Sequence, residues 1–427
     1  MGPMSRVRLK PDPARVVIRP FTPAENSSSS LNGPLRAARI LDRVLSLDIR
    51  DVDKDVDSII SSLQSRHIDV RRILMHRYHD IVEPHVCGRT LSDRQKLLAG
   101  AYFVEEYSFE AAALFNPSVV LHPDQRGTAQ GSIRLILSLR AVGEGHVSSV
   151  TFRTATLGPD ARLEVNSPSS QTISPQIDRI PGGAPDDPGL RLFFGDLKDL
   201  SQVVIFPVTY QQRMGIEDMR LTRFVEDDGH VTFFGTYTAF SGERIRQEML
   251  RTTDFATMEL NALDGALSAT KGMALFPKRI GGRYAMLGRH DHENIWFLQS
   301  NDLYRWEQGK VILAPRWPWE FVQIGVCSPP IETEAGWLVI IHGVGAVRNY
   351  CLGCCLLDKE DPSKVIARST KPLMQPGAEA RNGYVPNVTY TCGALVHEGT
   401  LILPYGVADS FTTFARFPLS AILASMS

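Results

Sequence analysis

From Ser132 to Gly406 apolar residues recur at every second position in short runs such as "SIRLILSLR", "SSVTFRTA", "LRLFFG", "HVTFFGTYTAF", "NIWFLQS", "GWLVIIHG" and "TLILPYG". A period of two, broken by turn residues, predicts short β-strands with one face on a core. The N-terminal part keeps a different beat. Ile40, Leu41, Val44 and Leu45, then Val52, Val56, Ile59, Ile60 and Leu63, share one face at the helical period and predict helices. The run "SDRQKLLAGAYFVEEYSFEAAALF" reads as another helix, with Ser92 or Asp93 as its N-cap. Residues 1–34, rich in Pro, Arg and Ser, read as an extended or mobile arm without a packed core, and Met1 to Pro3 are set aside from the fold. The expected organisation is therefore an arm over 1–34, a helical extension over 35–110 and a β domain over 111–427. Within it 158–189, rich in Pro, Ser and Asp, reads as a surface insertion.

An internal echo runs through the strands: "RTTDFATMEL" around Asp254, "QSNDLYRWEQG" around Asp302 and, more loosely, "CLLDKEDPSKV" around Asp358. The spacings, 48 and 56 residues, are near the roughly 40–50 of one propeller blade. An all-β propeller of five or six blades is the leading architecture, with a two-sheet sandwich as the alternative.

Composition narrows the function classes. The chain is 43% hydrophobic and 22% charged, with 46 basic and 47 acidic residues, so neither nucleic acid nor a membrane surface is an expected partner. It lacks the apolar core of a secretory signal, and a cytoplasmic protein is expected. Six cysteines do not make a disulfide framework in so long a chain. Cys351, Cys354 and Cys355 in "YCLGCCLLD" alternate with leucines as in a buried strand, which favours core packing over a metal site. His290 and His292 flank Asp291 without an evident third ligand, so no metal is expected.

Candidate chemistry starts at "MGIEDMRLTRF", where Glu217, Asp218 and Arg220 interrupt an apolar run. Strand alternation puts Asp218 and Arg220 on one face and Glu217 on the other with Met219, so the carboxylates are not expected to work as a pair. An isolated Asp-x-Arg is more often a structural ion pair. Here it has company at blade-like intervals: Asn116, Arg140, His146, Arg289, His342, Arg348, Tyr350 and Asp409 also interrupt strands. Inner propeller strands line one channel, and together these residues point to a polar, sugar-sized site.

These motifs, with "ALFPKRIGGRYAMLGR", "SPPIETEAGWLVIIHGVG" and "GYVPNVTYTCGALVHEGTLILPYGVADS", resemble glycoside hydrolase family 130, the β-mannoside phosphorylases and mannosidases, over about residues 110 to 420. The resemblance implies a five-bladed propeller with an inverting site in its channel and no cofactor beyond inorganic phosphate as co-substrate. It also implies Asp218 as general acid, its proton passing through a mannose hydroxyl, and Asn116, Arg140, Arg220 and Asp409 as ligands of the mannosyl unit. His146 joins them as a substrate-binding candidate. Met219 departs from the family, which has proline there. The helices lie outside the common core, and a homo-oligomer formed through them is one expectation.

The nucleophile divides the readings. A phosphorylase replaces base and water with phosphate, whereas an inverting hydrolase needs a second carboxylate. By the resemblance Lys271, Arg289, His342 and Tyr350 fall where phosphate contacts are expected, and phosphorolysis to mannose 1-phosphate is the favoured reading. Gln323 and Glu332, standing at or near positions where the phosphorylases carry lysine, argue the other way. Asp291, Glu293 and Glu332 are the alternative general bases of a β-mannosidase. A sugar-binding propeller without turnover is a third reading. Tyr384 and Asn387 in "GYVPNV" are further candidates for the lining, with a turn as their plainer role.

Overall fold

The β-rich pattern becomes antiparallel sheets that follow one another along the chain. A computed structural model describes residues 7–24, 36–82, 90–184 and 187–427. An eleven-stranded sheet holds two groups. Its first group contains Ala113–Leu121, Ile133–Val142 and Ser148–Leu157. Its second contains Gly215–Val225, Val231–Phe240, Ile245–Thr252 and Thr257–Ala262. One parallel pair, Gly215 with Ser148, links the groups. Three smaller sheets follow, over 274–313, 323–368 and 389–418.

Apolar clusters lie between successive groups. Phe152, Ile216 and Phe233 join the first two groups, and Phe224, Met249, Met286 and Trp306 carry the core from the second group into the sheet over 274–313. Phe276, Leu287, Trp337 and Ile341 reach the sheet over 323–368, and Leu338, Cys354, Cys392 and Leu401 reach the last. Val119, Leu137, Ile402 and Phe414 then join the last sheet to the first group. That contact is reinforced by bonds from Leu114 N to Ser410 O at 3.0 Å and from Cys392 N to Pro117 O at 2.8 Å.

The internal echo has a physical basis. Asp254, Asp302 and Asp358 each accept backbone N–H groups two or three residues on, in turns that lead out of the third strand of their groups. Such Asx turns mimic a backbone turn and favour Asp. Cys351, Cys354 and Cys355 are buried in the strand Asn349–Leu357, as alternation predicted; Cys87 lies outside the described residues.

The N-terminal pattern is realised in part. Helices Arg36–Leu45, Ile49–Leu63, Val70–Arg77 and Asp93–Ala101 bury Leu41, Val44, Val52, Val56, Leu74 and Leu98 together. Ser92 caps the last helix in a capping box with Gln95. That helix stops at Ala101, short of the expected run, because Val104–Ser108 pairs as a strand with Val16–Pro20. The described part of the arm is thus extended but packed, with Val17 at 0% exposure. Arg15 reaches a buried Glu110 that Arg153 also holds. The stretch 158–189 also differs from a plain insertion: Gln176–Ala184 and Asp187–Phe193 form a hairpin added to the edge strand Thr257–Ala262, and Ile173 is buried.

Candidate functional site

Two strands break register at facing places. Pairing of Ala113–Leu121 slips between Phe115 and Ser118, and pairing of Gly215–Val225 slips between Glu217 and Arg220. Each irregularity holds a residue in the left-handed region, Asn116 at φ 48° and Asp218 at φ 55°. A bulge inserts an extra residue and re-aims the side chains around it. Strand alternation therefore fails here, and the expected split is corrected: Glu217, Asp218 and Arg220 all line one cavity of about 280 Å³. Met219 turns into the core, its Sδ 2.9 Å from where a Cβ on Gly235 would stand. A signal was present in the sequence, since the buried Ile216, Met219 and Leu221 are spaced by three and then two.

The cavity also gathers Asn116, Arg140, Lys271, Arg289, Gln323, His342, Tyr350 and Asp409. Arg348, Tyr390 and Val388 line it too. Arg140 forks between the carboxylates, Nη1 donating to Asp218 Oδ1 at 3.1 Å and Nη2 to Glu217 Oε1 at 2.9 Å. Asn116 Nδ2 donates to the same Asp218 oxygen at 2.7 Å, and Lys271 Nζ donates to Glu217 Oε2 at 2.6 Å. Arg220 is committed elsewhere: it donates to the Asp218 carbonyl at 2.8 Å, the Tyr390 hydroxyl at 2.9 Å and the Val326 carbonyl at 3.3 Å.

Electrostatics separate the carboxyls. Burial pushes Asp218 up, but Arg140, Arg220, the Asn116 amide and Lys271 together hold it below its ordinary value. Asp409, at φ 49° in the turn after Thr400–Val407, is pushed to about 7 by burial and by the Asp218 charge, against Arg140 and Arg348. His342 is driven well below its ordinary value by burial and by Arg289 and Arg220, so it is neutral. Its Nε2 accepts from Arg289 Nη1 at 3.4 Å, which leaves Nδ1–H facing Cys327 Sγ at 3.5 Å. A Cβ on Gly325 would stand 2.4 Å from that ring, so glycine makes room for it. Among the described residues neither Arg289 nor Arg348 makes an ion pair.

Other expected residues are elsewhere. His146 does not line the cavity; its Nδ1 meets the Tyr384 hydroxyl at 2.7 Å. Asn387 serves a turn, with φ 62° and its carbonyl accepting from Tyr350 N at 3.0 Å. Asp291 accepts from Glu293 N, Asn294 N and Trp296 Nε1 at 2.8–3.0 Å. Although burial opposes it, bonds from Asn294, Glu293 and Trp296 hold that carboxyl at about 2. Glu293 is exposed, and Glu332 pairs with Lys278 at 2.8 Å. None of these three alternative bases lines the cavity: Asp291 is held in its turn, Glu332 in its ion pair, and Glu293 stands at the surface. His290 packs edge-on against Trp296 at 5.7 Å.

Comparison with known proteins agrees with the motifs. The sequence family described as beta-1,4-mannooligosaccharide phosphorylase matches residues 197–427. A 1,2-beta-oligomannan phosphorylase of Thermoanaerobacter sp. (strain X514) is 37% identical over 220 residues, 49% of this chain and 71% of that protein. A beta-1,2-mannobiose phosphorylase of Listeria innocua serovar 6a is 33% identical over 229 residues, 51% of this chain and 62% of that protein. A beta-1,4-mannooligosaccharide phosphorylase of Ruminococcus albus is 32% identical over 204 residues, 45% of this chain and 59% of that protein. The chain thus spans between 59% and 71% of these relatives' lengths. In structure it is similar to the Listeria innocua beta-1,2-mannobiose phosphorylase solved with beta-1,2-mannobiose, with a TM-score of 0.52 and 22% identity over 74% of this chain and 92% of the other. It is also similar to a structure described under the finding that the GH130 family of mannoside phosphorylases contains glycoside hydrolases targeting beta-1,2 mannosidic linkages in Candida mannan. There the TM-score is 0.53 and the identity 18%, over 74% of this chain and 87% of the other. At these identities the structural likenesses speak for the fold alone.

Proposed function

The chain belongs to glycoside hydrolase family 130, and on that footing we propose that it is an inverting phosphorylase of β-linked manno-oligosaccharides, releasing mannose 1-phosphate. The observation that carries the reading is the pair Arg289 and Arg348, which share the cavity with Asp218 and make no ion pair among the described residues. Two guanidinium groups that no carboxylate among the described residues meets at ion-pair distance suit a phosphate dianion better than a water molecule. Lys271, the neutral His342 and Tyr350 complete the anion side in this reading, and Gln323 contributes an uncharged polar contact.

The same reading takes the five strand groups, with their clusters between neighbours and the last joined to the first, as a five-bladed propeller around the cavity. The N-terminal helices then form an extension outside it.

In the reaction so read, phosphate oxygen bonds to the anomeric carbon from the face opposite the leaving group as the β-mannosidic C–O bond breaks. The leaving oxygen takes the proton of Asp218. Asn116, Arg140, Arg220 and Asp409 hold the mannosyl unit. Asp218 is poised as a carboxylate before substrate enters, since Arg140 and Asn116 both donate to it. An arriving dianion offsets the cationic field and raises the carboxyl toward protonation, so phosphate helps to prepare its own acid.

Hydrolysis is less well served, because the cavity's other carboxylates are Glu217, engaged by two cations, and Asp409, pushed toward the neutral form. Incubation with β-1,2- and β-1,4-mannobiose, with and without phosphate, tests the proposal. Mannose 1-phosphate of α configuration formed only with phosphate supports it, and equal mannose release without phosphate overturns it.

A further inference from the structure

Four charged side chains stand in a row in the cavity. Lys271 Nζ donates to Glu217 Oε2 at 2.6 Å, Arg140 Nη2 donates to Glu217 Oε1 at 2.9 Å, and Arg140 Nη1 donates to Asp218 Oδ1 at 3.1 Å. Glu217 thus links the most exposed cation of the row to the general acid through one guanidinium. The arrangement is costly, because adjacent carboxylates repel each other and a second one facing the cavity also repels an incoming phosphate. A site that only had to hold an anion gains nothing from Glu217. Yet the bulge between Glu217 and Arg220 brings it into the cavity beside Asp218.

The row is firm at one end and loose at the other. Glu217 and Arg140 lie in paired strands, Glu217 opposite Thr238 and Arg140 opposite Phe115 and Val150. Lys271 comes from the loop after Thr257–Ala262, and its side chain is 39% exposed. Arg140, Arg220 and Lys271 all act on Asp218, whose charge in turn acts on Asp409, while His342 is neutral. Of these cations Arg220 is bound to three oxygens, whereas Lys271 ends a flexible four-carbon stem and is held by a single carboxylate oxygen. An anion entering the cavity can therefore draw Lys271 away from its partner but not Arg220.

We propose that Glu217 is a positioning residue that makes the general acid wait for phosphate. Before phosphate enters, Lys271 rests on Glu217 and Arg140 divides its two nitrogens between the carboxylates. Bound phosphate takes Lys271, Glu217 keeps Arg140 as its remaining partner, and the guanidinium shifts toward it from Asp218. With one donor fewer and a dianion near, Asp218 takes a proton from solvent, which it then passes to the leaving oxygen. Without phosphate the acid stays ionised, so the glycosidic bond is not lost to water. The relay rests on the phosphorylase reading and adds to it a residue that contacts neither phosphate nor sugar.

The test is steady-state phosphorolysis of β-linked mannobiose at varied phosphate by wild type, Glu217→Gln and Lys271→Met, with a melting curve of each. Glu217→Gln keeps the length and an acceptor oxygen but loses the charge that competes for Lys271 and Arg140. It is expected to lower phosphate KM about fivefold, since Lys271 is freed, and to lower kcat about tenfold, since Arg140 stays on Asp218. Lys271→Met is expected to behave in the opposite way. Its phosphate KM rises about tenfold or more, with kcat within about twofold, because Glu217 already has Arg140 to itself. A Glu217→Gln that raises phosphate KM or keeps wild-type kcat overturns the relay alone, and so does a Lys271→Met that loses more than about tenfold in kcat. If Glu217→Gln fails to fold, Lys271→Met decides by itself. Wild type that releases mannose equally without phosphate overturns the phosphorylase reading, and the relay with it.

Discussion

Two buried charge networks in this molecule look alike on paper and differ in kind. Under the N-terminal strand, Glu110 at 0% side-chain exposure is held by Arg15 and Arg153, and Arg15 also donates to the Ser201 carbonyl. In the cavity, Arg140 joins Glu217 to Asp218, and Lys271 holds the far oxygen of Glu217, at side-chain exposures from 12% to 39%. The first network is closed to solvent, at side-chain exposures of 0–4%, although both cations meet Glu110 Oε1 and its Oε2 is buried without a hydrogen bond. The second is open, and its neighbours Arg289 and Arg348 keep charge in reserve among the described residues. Burial of charge alone therefore does not mark a site; an incomplete set of partners facing a cavity does.

The sharpest way to break this distinction is to neutralise one carboxylate in each network. Asp218→Asn is expected to lower kcat by about 10²–10⁴-fold, the usual worth of a general acid, while melting close to wild type. Steady-state phosphorolysis and a melting curve check this together, and near-normal turnover would remove Asp218 from its role. Glu110→Gln is expected to do the reverse. It leaves two arginines without their shared partner and costs about 3–5 kcal/mol in denaturant unfolding, with kcat per folded molecule unchanged. A large activity loss without loss of stability would mean that the closed network reaches the site.

How much of this contrast was legible in the sequence depends on how local its cause is. The short strands, the buried cysteine strand and the recurring aspartate turns follow from period and turn chemistry, which neighbours in sequence determine. Asn116, Arg140, Asp218, Arg220, Lys271, Arg289, His342, Tyr350 and Asp409 were all candidates, and the fold brings them around one cavity. The face assigned to Glu217 was wrong because the pairing strand, not the local pattern, fixes the bulge, although the three-residue step from Ile216 to Met219 hinted at it. The described part of the arm, 7–24, is extended as expected, and its packing was missed for a similar reason. A stretch of Val, Ile and Arg among prolines looks unpartnered until Val104–Ser108, read as helix, turns out to be its strand mate. Arg348 was noted only as one more polar interruption, since nothing in sequence tells that its charge makes no ion pair among the described residues.

A smaller effect sharpens the idea of reserve charge. Arg348→Ala is expected to raise phosphate KM by about 10- to 100-fold, the worth of one charge-assisted hydrogen bond, with the disaccharide KM nearly unchanged. Initial rates at varied phosphate measure it. If phosphate KM stays fixed, Arg348 is not an anion ligand, and the contrast with the closed network loses its functional meaning.

The smallest expected effect concerns Asp409, whose carboxyl is raised from 3.8 to about 7 by burial and by Asp218. Between those values the folded chain keeps a proton that the unfolded chain has released, so this residue's contribution to stability falls as pH rises from about 4 to 7 and is fully unfavourable above that. Asp409→Asn stays neutral throughout. It is expected to match wild type near pH 4 and to melt higher above pH 7, by about 1 °C for a residual cost of roughly 1 kcal/mol after screening at the open cavity. Melting curves of both proteins from pH 4 to 8 test this. A gap that is constant with pH would mean that Asp409 titrates like an ordinary carboxylate, and the cavity's negative side would then match the closed network instead of contrasting with it.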